Sequence, residues 1–175
     1  MFILVLGGAA CGKSEYAENL CVQLAAGARK LYIATMEPYG EDAAFRIARH
    51  RALRAEKGFD TLERYRDLAH AGAPSMGYHT ILLECMSTLL ANEFFAPDGK
   101  QHHANAILQG ITQLQQDSQN LILISNKVFS DGISYDADTM AYLHALARLN
   151  TTLAQTADVV VELTYGIPRV LKGSI

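Results

Sequence analysis

Residues Gly7 to Ser14 read Gly-Gly-Ala-Ala-Cys-Gly-Lys-Ser, directly after an apolar run of strand length, Met1 to Leu6. The segment fits G-x-x-x-x-G-K-[ST], a P-loop, in which backbone N–H groups converge on phosphate oxygens at the start of a helix. Gly7, Gly8, Ala9, Ala10, Cys11 and Gly12 would form the cradle, Lys13 would reach the β/γ-phosphates, and Ser14 would offer its hydroxyl to Mg²⁺. The glycines answer a geometric need. The chain must approach an anion closely and turn sharply into a helix whose N-terminus adds its own positive end.

Outward from this loop, apolar runs and helical patterns alternate. Residues 2 to 6 read as the first strand and Lys13 to about Ala26 as a helix ended by Gly27. Leu31 to Ala34 is a short buried strand, followed by a loop from Thr35 to Gly40 that contains Pro38. A helix is expected from Glu41-Asp42, acids suited to a helix N-terminus, to Arg54 or beyond. Thr80 to Leu83 is a strand ending in Glu84, followed by helical Met86 to Phe95, a surface loop from Ala96 to His103, and a helix from Ala104 to Gln116. Asn120 to Ser125 is the next buried strand, Asp138 to Gln155 a long helix, and Val159 to Leu163 a further strand. Ile167 to Leu171 suits an edge strand, because Pro168 cannot donate to a ladder. Such alternation predicts an α/β fold, P-loop NTPase-like, with a mainly parallel sheet and helices on both faces.

Length and composition bound the rest. At 175 residues, half of them apolar, the chain reads as a single domain, residues 1–175, with enough apolar side chains for a core. Net charge is −3 and the 15 Lys and Arg are dispersed, so no nucleic-acid or anionic-membrane surface is indicated. Cys11, Cys21 and Cys85 are odd in number and lack C-x-x-C spacing, which fits neither a disulfide framework nor a zinc site and suits a reducing cytoplasm. The apolar start has no basic n-region and reads as a buried strand, and no stretch is long enough for membrane insertion.

Glu84 stands where a P-loop protein places the acid that reaches Mg²⁺ beside the loop Ser; the competing reading is a solvated strand end. Asn126-Lys127 begins like the N-K-x-D guanine-reading motif but continues with Phe129, so nothing there can pair with guanine N1–H and N2–H₂. His50 lies among Arg46, Arg49, Arg51 and Arg54 on one helix. Such a segment is either a solvated basic face or a phosphate-facing one, in which the cations would keep the imidazole neutral and able to attack phosphorus. Cys11, inside the loop, has N–H groups about it that would favour its thiolate.

Together these segments resemble the bifunctional adenosylcobinamide kinase/adenosylcobinamide-phosphate guanylyltransferase family of cobalamin biosynthesis, over nearly the whole chain. The resemblance is carried by Gly7-Gly8-Ala9 through Ser14, Tyr32 to Thr35, Glu41-Asp42, Arg46-Ile47 with His50 and Arg54, Thr61-Leu62-Glu63, Glu84-Cys85 with Asn92, Ala157-Asp158 and Gly166-Ile167-Pro168. It implies an enzyme with GTP and ATP as substrates, Mg²⁺ on Ser14 and Glu84, a corrinoid acceptor and a trimeric homo-oligomer. In the family the His of Arg-Ile-x-x-His carries GMP covalently, which makes His50 and Lys13 the catalytic candidates. Ala34, Thr35, Met36, Arg51, Ala52, Leu53, Arg54, Glu63 and Glu84 would line the nucleotide site, with Glu63 as an acceptor for guanine. The chain departs from the family's Asn-Glu-Val-Gly at Lys127 and Phe129, and from its Arg-x-Phe-Arg-Asp at Leu143-His144. If that region contacts the corrinoid or the kinase acceptor, the kinase half or its substrate would differ while the guanylyl transfer site survives. The alternatives are a plain P-loop small-molecule kinase in which His50 is only a phosphate clamp, and a nucleotide-binding regulatory protein without transfer chemistry, which the altered segment permits.

Overall fold

The computed structural model describes residues 1–71, 77–97, 103–128 and 135–175. Its elements run β1 (Phe2–Gly7), α1 (Lys13–Ala25), β2 (Lys30–Ala34), α2 (Gly40–Arg54), β3 (Asp60–Glu63), a 3₁₀ turn (Leu68–Ala71) and β4 (Thr80–Glu84). They continue with α3 (Met86–Phe94), α4 (His103–Asp117), β5 (Asn120–Asn126), α5 (Ala137–Thr156), β6 (Val159–Thr164) and β7 (Ile167–Lys172). The strands form one seven-stranded sheet in the order β3-β2-β4-β5-β1-β6-β7. All pairings are parallel except β6 with β7, which form an antiparallel hairpin. The α/β expectation therefore holds, and Pro168 does lie on an edge strand.

Alternation along the central strands divides the core in two. Phe2, Leu4, Ile81, Leu83, Leu121 and Leu123 face the layer of α3, α4 and α5, whose Leu89, Leu90, Ile107, Leu114, Leu149 and Leu153 bury against them. Ile3, Val5, Leu82, Ile122, Ile124 and Val161 face α1 through Ala17, Leu20 and Cys21. These strands carry apolar residues on both faces because helices cover both, and each fully buried Leu or Ile contributes about 1.5–3 kcal/mol relative to exposure.

One strand and a short turn add to the expected elements. Thr61-Leu62-Glu63 is the end of β3, too short and too exposed at three of its four positions to announce itself by alternation. The 3₁₀ turn seats buried Leu68 in the core. The helix expected from Glu41-Asp42 begins at Gly40, and the side chains of those acids lie outside the described ones. Phe129 and most of the loop expected between Ala96 and His103 also lie outside the described residues. No described helix is long and apolar enough to cross a membrane.

A candidate nucleotide site at the carboxyl edge of the sheet

Gly7, Ala34 and Glu84 end β1, β2 and β4 at the same edge of the sheet, and a cavity of about 470 Å³ opens there beneath α2. Ligands of open α/β sheets bind at this edge because the strands end there and the next helices begin. Ala9 through Glu15 line it on one side, with Met36, Arg46, Arg49, His50, Arg51 and Arg54 opposite. Glu63, Glu84 and Asn126 complete the wall from three strand ends.

The loop's shape follows from its residues. A Cβ on Gly7 would stand 2.6 Å from Cys11 Sγ and 2.7 Å from the Leu163 carbonyl oxygen, so no larger residue fits. Gly12 caps α1 at φ 94°, a left-handed backbone that L side chains resist. The turn after β6 supports the loop from outside, with Gly166 N–H donating to Cys11 O at 2.9 Å. Lys13, only 7% exposed, donates to Gly8 O across the cradle.

Glu84 is the hub of the polar groups. One carboxylate oxygen accepts from Ser14 Oγ and the other from Tyr32 OH at 2.7 Å, while His50 Nδ1 lies 3.7 Å away. Burial is the main reason the Tyr32 phenol is pushed well above its ordinary pKa, with the Glu84 charge adding to it, so Tyr32 remains a donor. Ser14 Oγ and a Glu84 oxygen already converge, and hard oxygen donors of this kind suit Mg²⁺.

The other expected residues divide by role. Arg51 pairs with Glu63, which also accepts from Tyr65 OH at 2.8 Å. Those two hydrogen bonds, Tyr65's first, hold the Glu63 carboxyl below its usual range and keep it an acceptor. Arg54 lies 3.8 Å over the Tyr32 ring. Thr35 does not line the cavity. It is fully buried, its hydroxyl accepting from Cys85 N–H at 2.8 Å and sharing its one proton between the Glu84 and Cys85 carbonyl oxygens at 3.0 and 2.9 Å, and it ties the end of β2 to that of β4. Asn92 steadies the same loop by donating to Thr35 O and Tyr65 O. Ala34 and Met36 line the cavity, whereas Gly7, Gly8 and Ala52 do not; the Leu53 side chain lies outside the described ones.

His50 Nδ1 lies 3.7 Å from the Glu84 carboxylate, Arg51 is paired with Glu63 and Arg54 lies over the Tyr32 ring, while Arg46 and Arg49 line the cavity together with His50. Lys127 is bound to Glu162 at 2.8 Å, and neither Lys127, Leu143 nor His144 lines the cavity, so the described departures from the family pattern lie outside it.

Two roles at the site are not written in the sequence motifs, those of the Tyr32 hydroxyl and of Glu18. Tyr32 belongs to a buried strand and to the segment that carries the family resemblance, but only the fold shows that its hydroxyl reaches Glu84. Glu18 has a signal that could have found it, as an acid one helical turn after Ser14 on an otherwise apolar face. It is fully buried, is paired with Lys57 at 2.7 Å, and presents a donor atom within 4.8 Å of those of His50 and Glu84.

Comparison with known proteins bears on the family and the fold. The family model for cobinamide kinase / cobinamide phosphate guanyltransferase matches residues 3–171. The chain is 33% identical to the bifunctional adenosylcobalamin biosynthesis protein CobU of Escherichia coli (strain K12), over 95% of this chain and 97% of that one. It is 28% identical to the corresponding CobP of Pseudomonas aeruginosa, over 97% and 96%. Among solved structures it resembles flagellar accessory protein FlaH from Methanocaldococcus jannaschii, at TM-score 0.57 and 12% identity over 99% of this chain and 78% of that one. It also resembles the ATPase domain of G40P, at TM-score 0.51 and 8% identity over 92% and 68%. At these identities the structural likeness speaks to the fold alone.

Proposed function

The chain belongs to the cobinamide kinase / cobinamide phosphate guanyltransferase family of bifunctional enzymes, and from that premise we propose that the cavity beneath α2 serves both reactions. In the kinase reaction, the γ-phosphoryl group of ATP or GTP passes to the hydroxyl on the aminopropanol arm of adenosylcobinamide. Lys13 and the loop amides would bind the phosphate oxygens and meet the charge of a loose transition state. Ser14 and Glu84 would hold Mg²⁺, which supplies further charge neutralisation when bound.

In the transferase reaction, His50 attacks the α-phosphorus of GTP and pyrophosphate leaves. The phosphate of adenosylcobinamide phosphate then takes the GMP group, giving adenosylcobinamide-GDP. The histidine relay avoids the direct approach of two anions. Glu63, ionised and at the cavity wall, suits guanine N1–H and N2–H₂ on exchanging its present donors Arg51 and Tyr65. A P-loop does not present both the α- and γ-phosphates in line in one pose, so the nucleotide binds in two registers or α2 moves between steps.

The observation that carries this reading is the placing of His50 in the same cavity as Lys13, Ser14 and Glu84, with its ring 3.7 Å from the Glu84 carboxylate. The test is the intact mass of the protein after incubation with GTP and Mg²⁺, beside a His50→Ala control. A gain of one GMP, absent from the control, is expected. No gain in either, with corrinoid phosphorylation retained, would favour the plain kinase; tight GTP binding without turnover on any corrinoid would favour the regulatory protein. The assembly is proposed to be a homo-oligomer. Exposed apolar side chains on the β6–β7 hairpin, Tyr165, Ile167, Val170 and Leu171, support that reading.

A further inference from the structure

Among the described residues, two of the buried side-chain atoms without a hydrogen-bond partner are Glu18 Oε1 and His50 Nδ1. Orphaned polar atoms in an interior are costly and ask for an explanation. They belong to side chains brought together from α1 and α2, each of which offers a donor atom within 4.8 Å of one on the other. Glu18 cannot turn to solvent, since its side chain is fully buried, and Lys57 holds its other oxygen at 2.7 Å. Burial raises the Glu18 pKa and the ion pair with Lys57 opposes that rise, so the carboxyl has one oxygen neutralised and one unsatisfied. His50 keeps 23% of its side chain exposed although Nδ1 is closed off, so its open edge lies elsewhere on the ring.

We propose that Glu18 is a positioning residue for His50, its free oxygen accepting the Nδ1–H of the imidazole, directly or through one water, so that Nε2 is presented to the α-phosphorus. The proposal rests on the guanylyl-histidine reading of His50. The hydrogen bond at one ring nitrogen decides which tautomer is present, and the other nitrogen then carries the lone pair. As the Nε2–P bond forms, the bond from phosphorus to the bridging oxygen breaks and its electron pair leaves with pyrophosphate. The Nδ1 proton stays on the ring, whose positive charge is met by Glu18. Attack by the acceptor phosphate oxygen then breaks the P–N bond and returns the pair to Nε2.

Glu84 is closer to Nδ1 in distance but less suited to the task. Its oxygens already accept from Ser14 and Tyr32, and it is the residue proposed for the cation beside the P-loop. A metal ion among Glu18, His50 and Glu84 is the competing explanation. Against it, only two of the candidate donor atoms lack a partner, and the Lys57 ammonium already stands on Glu18.

The test is nitrogen-15 NMR of histidine-labelled full-length protein, read together with single-turnover adduct formation from α-labelled GTP. The wild type is expected to show neutral His50 as the Nδ1–H tautomer. Glu18→Gln is expected to shift it toward Nε2–H and to slow adduct formation about 10- to 100-fold, with KM for GTP little changed. An Nε2–H tautomer in the wild type overturns the proposal without recourse to any variant, as does a Glu18→Gln protein that forms adduct at the wild-type rate. Mn²⁺ broadening of the His50 signal that Glu18→Gln abolishes overturns it in favour of a metal site. An Nδ1–H tautomer with no adduct in the wild type overturns the guanylyl-histidine reading and the catalytic role of Glu18, while leaving the pairing itself in place.

Discussion

At the scale of single residues, this site is organised by carboxylates that each serve more than one neighbour. Glu84 accepts from a loop serine and a core tyrosine. Removing the tyrosine hydroxyl should therefore reach the loop. Tyr32→Phe leaves one Glu84 oxygen without its buried donor, and we expect a lower activity at limiting Mg²⁺ that recovers as Mg²⁺ is raised, measured by corrinoid phosphorylation. Lys13 has a simpler role. Lys13→Ala is expected to lower kinase kcat/KM by about 10²- to 10³-fold, the usual loss for one charge-stabilising donor at a transition state. Transfer to corrinoid at the wild-type rate in that variant would refute the P-loop reading. Lys13, Ser14 and Glu84 are legible in the sequence because each is tied to a local motif or a strand end. The partnerships of the Tyr32 hydroxyl with Glu84 and of the Glu18 carboxylate with Lys57 are not, since the groups they meet are tens of residues away along the chain.

At the scale of elements, helices are held by particular contacts that can be tested one at a time. On α4, a Cβ at Gly110 would stand 2.7 Å from the Leu68 carbonyl carbon and 2.8 Å from Ala69 N in the 3₁₀ turn. Both are backbone atoms that cannot swing aside, so Gly110→Ala is expected to destabilise the fold by about 1–3 kcal/mol in urea unfolding. Helix α5 is capped by Asp136, whose carboxylate accepts from Thr139 N–H at 2.9 Å and Thr139 Oγ1 at 2.7 Å. Those bonds, the backbone one first, lower the Asp136 pKa. A lowered folded-state value means a stabilising contribution that is present above the ordinary aspartate pKa and lost as pH falls through the folded value. Asp136→Ala should thus melt below the wild type at neutral pH, and the gap should close in acid. A gap independent of pH would refute the charged cap.

At the scale of the whole molecule, the sheet order sets a gradient of protection. β5, β1 and β4 lie inside, whereas β3 and β7 are edges, and β7 is exposed along its whole length. Amide exchange should be slowest in Leu4, Leu83 and Leu123 and faster in the two edge strands. Protection of β7 equal to that of β1 would indicate that another copy of the chain covers it. Dilution should then lower that protection, and sedimentation of an Ile167→Lys, Val170→Lys protein should show a smaller assembly than the wild type.

The sequence alone determined the strand–helix alternation, the phosphate loop and the acid at the end of β4, because each is written in consecutive residues whose backbone needs are local. It also carried the Arg-Ile-x-x-His segment that pointed to the family. It did not reveal β3, whose four residues pair with β2 but alternate too weakly to be read. It placed four arginines beside His50 without saying which way each turns, because helical spacing fixes positions and not partners. Only the tertiary structure decided that Arg51 and Arg54 face Glu63 and Tyr32, that Thr35 is a strap and not part of the cavity wall, and that a buried Glu18 stands near His50. The physical reason is that side-chain partners are selected by the packing of α1 and α2 over the sheet edge, where distances in space bear no relation to distances along the chain.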